Sequence, residues 1–177
     1  TGVHIRRGDK GPKSRTVSTN DFLHAAACES DRIFARKKLP IVFVMTDSPE
    51  AARQTRAWAA KRPHMRLVMQ MPKATWHVHG QALAIAGRSF SHEVRHNETE
   101  GLLVDLVFLA RSTIIISLCT SQLARLANSI GHIAGRLEKA VAMDSKEIPA
   151  RDPWKYGTDE GWQQPNADPA YCGGQTT

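Results

Sequence analysis

A chain of 177 residues suits one domain with room for a tail, and is long enough to bury a sizeable core. Its composition, 41% hydrophobic and 23% charged, is that of an ordinary globular protein, and no apolar run approaches the roughly 20 residues a membrane span needs. The net charge of +7 points to an anionic partner without choosing among nucleic acid, membrane surface and nucleotide sugar.

Cys28, Cys119 and Cys172 are odd in number and far apart. None has metal-ligand spacing, and Cys28 and Cys119 read as buried small hydrophobes. Thr1 opens directly on a strand-like run with no initiator Met or leader, which reads as a fragment of a longer polypeptide.

Gly2 to Ile5 is a short apolar run with strand character, and it breaks abruptly into Arg6, Arg7, Gly8, Asp9 and Lys10. A buried strand ending in a basic, glycine-containing turn is where open α/β sheets hold phosphorylated ligands. Guanidinium forks match phosphate oxygens, and glycine admits close backbone approach. A strand followed by a solvated basic loop has the same pattern.

The stretch from Gly11 to Arg15 reads as a loop. Ser18, Thr19 and Asn20 offer an N-cap, with Asp21 in the first turn of a helix reaching Arg36 to Lys38. Ile41 to Met45 is continuously apolar, as in a strand covered on both faces, and ends in the polar turn Thr46, Asp47, Ser48 and Pro49. A helix over Glu50 to Lys61 and a short strand from Met65 to Met69 follow. Residues 70 to 97 show no clear period, and His77, His79, His92 and His96 match no metal motif, so this stretch reads as a surface loop.

A helix resumes at Thr99, with Asp105 embedded among leucines. Such a carboxylate is either satisfied structurally or able to accept the paired N–H donors of a guanine edge. Thr113 to Ser117 is another apolar strand, and Thr120 and Ser121 start the next helix, where free backbone N–H groups favour an anion. Ala140 to Met143 reads as a last strand.

Repeated strand–turn–helix units argue for an α/β fold, a Rossmann-like doubly wound parallel sheet. The expected strands lie near 2–6, 41–46, 66–69 and 113–118. The carboxyl ends of the first and last of these should meet, bringing Arg6 and Ser121 to one concave site. Residues 1–144 form the expected nucleotide-sugar-binding domain. Residues 145–177, rich in Pro, Asp, Gly and Gln, read as an extended tail packed on it through Trp154 and Trp162.

The run from His4 to Lys10 resembles the first donor-binding motif of the α1,6-fucosyltransferases, which add core fucose to N-glycans and have bacterial relatives acting on chitin oligosaccharides. Gly101 to Leu109, the isoleucine run after it, and Cys119 to Arg125 are similar to the family's other motifs, in order and nearly in spacing. The Thr46 turn matches its second-strand turn, and Tyr171 to Gln175 is similar to the end of its catalytic region.

The resemblance implies the C-terminal, donor-binding half of a GT-B glycosyltransferase. It implies metal-independent, inverting transfer of L-fucose from GDP-fucose to the core GlcNAc of an N-glycan, without a cofactor. Implied partners are GDP-fucose, a glycan or glycoprotein acceptor and the N-terminal half of the same polypeptide, with no nucleic acid. The implied location is the Golgi lumen, anchored in the membrane through a segment outside this chain.

By position, the resemblance assigns catalytic roles to Arg6 and Lys10, the β-phosphate to Arg6 and Ser121, and guanine to His4 and Asp105. It places Arg7, Asp9, Lys10 and Asp47 along the sugar–diphosphate site, with Thr120 also on the donor.

One departure stands out. The family carries a glutamate shortly after the Asp-Lys pair, the base for the acceptor hydroxyl, whereas the loop from Gly11 to Arg15 holds no carboxylate. Ser48 also replaces a second carboxylate in the Thr46 turn. Three alternatives follow: a protein O-fucosyltransferase, a catalytically silent GDP-sugar-binding homologue and, from charge alone, a nucleic-acid-binding module. The last lacks the interleaved aromatics of a stacking platform.

Overall fold

The computed structural model describes residues 1–7, 17–34, 39–70, 92–144 and 162–163. In chain order its elements are β1 (Gly2–Ile5), α1 (Thr19–Phe34), β2 (Ile41–Thr46), α2 (Pro49–Ala60) and β3 (Arg66–Met69). There follow α3 (His92–Ala110), β4 (Ile114–Ser117), α4 (Gln122–Ile133), β5 (Lys139–Ala142) and β6 (Trp162–Gln163). The strands form one sheet in the order β3-β2-β1-β4-β5-β6, and every pairing is parallel. This is the doubly wound α/β arrangement expected from the repeated units.

Alternate residues of the central strands serve two different layers, which explains why their sequences are apolar throughout. Val3, Ile5, Val42, Val44, Ile114 and Ile116 pack with Phe22, Leu23 and Ala26 of α1 and with Ala51 and Trp58 of α2. Phe43, Met45 and Ile115 face the other way, onto Leu109 and Ala110 of α3 and Ala127 of α4. Gly2 belongs to this second face, where a Cβ would come within 2.8 Å of Leu109 Cδ1 and 2.5 Å of Ser112 Oγ. Only glycine lets α3 and the turn into β4 lie this close to β1.

Local signals fix the helix starts. Ser18 and Asp21 cap α1 reciprocally: the Ser18 N–H donates to Asp21 Oδ2 at 3.0 Å and the Asp21 N–H to Ser18 Oγ at 3.1 Å. Ser48 caps α2 through the Ala51 N–H at 3.2 Å, with Pro49 in the first turn. At the opposite edge of the sheet, Glu29 of α1 is 2% exposed and pairs with Lys139 Nζ at 2.5 Å and Arg32 Nε at 3.0 Å. The buried Glu29 carboxylate thereby fastens α1 to the start of β5 through Lys139.

Two readings are corrected, and the docking of Trp162 is made more specific. The helix expected from Thr99 already begins at His92, so His92 and His96 lie on α3 and not in a loop. Trp162 and Gln163 form a sixth strand beside Ala140 and Val141 of β5; they carry no apolar run of their own, and the pairing comes from β5's open edge. Cys28 is disulfide-bonded, while Cys119 is free and buried. Among the described residues, no helix is long and apolar enough to cross a membrane. Trp154, Cys172 and the segment from Tyr171 to Gln175 lie outside the described residues.

Candidate functional site

The strand order reverses between β1 and β4. From β1 the chain builds outward through β2 to β3, then returns through α3 to β4 on the other side of β1 and builds outward again. The loops leaving β1 and β4 therefore part to opposite faces and open a crevice at the carboxyl ends, where sheets of this kind bind ligands. Arg6 follows β1 directly, and Ser121 follows β4 by four residues, so both stand at this edge.

The crevice floor is polar and closed by side chains from both strands. His4 shares a strand face with Gly2 and so points into the α3–α4 layer. Its Nδ1 lies 3.3 Å from Ser117 Oγ, at the end of β4, and 3.3 Å from Ser121 Oγ, the N-cap of α4. The Ser117 hydroxyl also donates to the His4 carbonyl at 3.3 Å. His4, Ser117 and Ser121 are all buried. Ser117 is the residue sequence reasoning missed; its only signal is a lone hydroxyl closing an otherwise apolar strand.

Asp105 sits on α3 one turn before Leu109, the side chain that meets Gly2. One turn rises about 5.4 Å and two strand residues about 6.6 Å, which brings Asp105 to the level of His4 on the same face. It is 4% exposed, and its carboxylate has no hydrogen-bond or ion-pair partner among the described residues. Burial pushes its pKa up from 3.8 to about 6. Of the two readings of this carboxylate, internal satisfaction finds no partner among the described residues.

The β4–α4 turn is held from below. Asp144, just past β5, accepts the Cys119 N–H at 2.7 Å, the Thr120 N–H at 3.3 Å and the Thr120 hydroxyl at 2.8 Å. Thr120, expected to offer a free N–H to a ligand, instead spends that group and its hydroxyl on Asp144. Ser121 Oγ takes the Ala124 N–H at 3.5 Å. The N–H groups of Gln122 and Leu123 have no partner among the described residues and are the donors left at this helix start.

The two arginines divide their work. Arg7 donates to the Val17 carbonyl at 2.5 Å and to Thr19 Oγ1 at 3.1 Å, bracing the start of α1, while its backbone N–H donates to Asp47 Oδ1 at 2.8 Å. Burial lowers its pKa, opposed by Asp47 and Asp21. Asp47 thus lies at the β2 end next to β1, where Thr46 Oγ1 donates to the Ile5 carbonyl at 2.7 Å. Arg6 stands half-buried at the crevice edge. Asp9 and Lys10, and the loop from Gly11 to Arg15, lie outside the described residues.

Chemically, the arrangement offers a helix start with two open donors and a buried imidazole beside two hydroxyls. It adds a cation at the rim and a largely buried carboxylate that lacks donors among the described residues. The first group suits phosphate oxygens; the last suits a base edge with adjacent N–H groups. Among the described residues, no group of three or more His, Cys, Asp or Glu side chains is arranged to hold a metal ion. No protein-family model and no curated protein matches this chain.

Proposed function

We propose that this chain is the GDP-fucose-binding half of a GT-B fucosyltransferase that transfers L-fucose to the core GlcNAc of an N-glycan in α1,6 linkage. The observation that carries the reading is the partnerless, buried Asp105 on the same face as His4 and Ser121, at the crevice where strand order reverses. A guanine edge presents two adjacent N–H groups to such a carboxylate, whereas adenine presents an acceptor at the matching ring nitrogen. The diphosphate is assigned to Arg6, the Ser121 hydroxyl and the open N–H groups of α4.

In the proposed reaction the acceptor's 6-hydroxyl oxygen attacks the anomeric carbon of fucose. The bond from that carbon to the β-phosphate oxygen breaks, the configuration inverts and GDP leaves with the bonding pair. Arg6, with Lys10, neutralises the charge that grows on the β-phosphate, a role that needs no metal. The hydroxyl proton goes to a base outside the described residues. The disulfide at Cys28 suits an oxidising compartment such as the Golgi lumen.

Calorimetry of the 177-residue chain with GDP, ADP and GMP tests the reading. GDP should bind at least tenfold more tightly than ADP, and Asp105→Asn should abolish that preference, because an unmatched polar group in a built site costs a few kcal/mol. Equal affinity of the folded chain for GDP and ADP would sink the base-reading role and the donor assignment with it. Tight GDP binding by a restored parent that transfers fucose to no glycan would leave the silent homologue as the answer.

A further inference from the structure

The edge of the sheet opposite the crevice, where the parallel strands begin, is strongly basic. Arg66 opens β3, and Arg111 and Arg136 each stand three residues before β4 and β5. Lys61 follows α2 directly, and the Arg62 guanidinium lies 4.6 Å from the centre of the Trp58 ring, which holds it at the same edge. Backbone hydrogen bonds tie these positions into one line. The Arg66 N–H donates to the Pro40 carbonyl at 2.9 Å, the Phe43 N–H to that of Thr1 at 2.9 Å, and the Glu138 N–H to that of Thr113 at 2.8 Å. From β3 to β5 the line runs about 20 Å.

Lys61, Arg66, Arg111 and Arg136 are exposed and have no ion-pair partner among the described residues. The exposed acids of this edge, among the described residues, are Glu138 and Asp31. The crevice edge instead sets Asp21, Asp47 and Asp144 beside Arg6 and Arg7. The chain's net charge of +7 is therefore presented unevenly, toward the amino ends of the strands. Two apolar side chains stand among these cations: Leu39 is 58% exposed, and Ile41, opposite Arg66 in the sheet register, is 52% exposed. A soluble polyanion gains nothing from them. A lipid surface takes apolar tips into its headgroup boundary while guanidinium groups meet its phosphates.

We propose that this amino-end edge rests on an anionic lipid surface, with Lys61, Arg66, Arg111 and Arg136 on the headgroups and Leu39 and Ile41 beneath them. Every strand then points away from the membrane, so the crevice at the carboxyl ends stays open to solvent. This orientation is independent of which ligand the crevice takes.

Co-sedimentation of the full 177-residue chain with phosphatidylcholine vesicles carrying about 30% phosphatidylserine tests this, in ~0.1 M salt. The chain should partition onto them about a hundredfold more strongly than onto phosphatidylcholine alone. Arg66→Gln, Arg111→Gln and Arg136→Gln should each weaken partitioning about fivefold, the usual share of one cation at such a surface. Leu39→Asn should weaken it too, yet leave binding to heparin unchanged. Arg53→Gln removes the same charge beside Glu50, at the other end of α2, and should leave partitioning unchanged. All five positions are exposed, and an unchanged circular dichroism spectrum checks that the variants fold. A wild-type chain indifferent to phosphatidylserine overturns the proposal, as does binding equally strong in the three edge-arginine variants. Binding lost with those arginines but untouched by Leu39→Asn overturns it as well, and leaves a soluble polyanion as the partner.

Discussion

Without a ligand, the folded chain favours the protonated form of Asp105, whose pKa is raised from 3.8 to about 6. Below the unfolded value both states are protonated and the residue is neutral to stability. As pH rises through the window between 3.8 and 6, the unfolded chain ionises first and stability falls. Above that window the cost is complete, up to about 3 kcal/mol at 1.4 kcal/mol per unit. Asp105→Asn should therefore raise the melting temperature of the free chain at pH 7.5, by about 2–4 °C per kcal/mol recovered, and change it little near pH 3.5. GDP affinity should move the opposite way, falling about tenfold from pH 7.5 to pH 5 as the acceptor is protonated. Melting curves and calorimetry at these pH values check both halves, and a GDP affinity flat with pH would contradict the proposed role. At this scale the sequence was readable where a residue clashed with its neighbours, as Asp105 does among leucines. Ser117 and Asp144 gave no such sign, because their partners His4 and Thr120 come from other strands or turns.

Among the elements, the turn from β4 into α4 depends most on a single outside group. Asp144 supplies the acceptor for two of its N–H groups and one hydroxyl. Asp144→Ala would remove the acceptor that the Cys119 and Thr120 N–H groups now use and should cost about 2–4 kcal/mol in urea unfolding. It should also weaken GDP binding, although Asp144 is not assigned to the ligand, because the open N–H groups of Gln122 and Leu123 would lose their fixed direction. Unchanged affinity in a folded Asp144→Ala chain would show that this turn does not hold the phosphates. The strands at 41–46 and 114–117 were legible because burial on both faces demands an unbroken apolar run. The start of α3 was not: its first turns are polar and histidine-rich, and a periodic signal appears only once the helix reaches its leucines. β6 had no local signal, since its two residues are a strand only through Ala140 and Val141 beside them.

For the whole molecule, the reversal of strand order brings His4 and Ser121, 117 residues apart, to 3.3 Å. The parallel class of the sheet followed from the repeated units, and the meeting of the β1 and β4 ends was expected from one ligand having to touch both loops. The resemblance to the fucosyltransferases supplied the roles, and those remain the proposal that binding and transfer assays decide. On the proposed reading the acceptor is oriented between two GT-B domains, so the isolated chain should bind GDP yet show no transfer. Losing the orienting half can cost more than the 10²–10⁴-fold typical of a missing general base. Restoring the N-terminal half and assaying transfer to a biantennary N-glycan should recover activity. Ser14→Glu in that parent should raise the rate by a similar factor if the base is what the loop lacks. Vigorous transfer before the substitution, and none gained after it, would assign the proton to a different residue.

The Asp144 clamp also sets a schedule. While the chain is being synthesised, β1, β4 and the first turn of α4 emerge before the carboxylate that holds their junction in place. A chain ending at residue 138 would hold all of His4, Asp105 and Ser121, but would lack the carboxylate that accepts the Cys119 and Thr120 N–H groups. The turn gains that acceptor only when the chain past β5 has been made, so a nascent chain completes this site late.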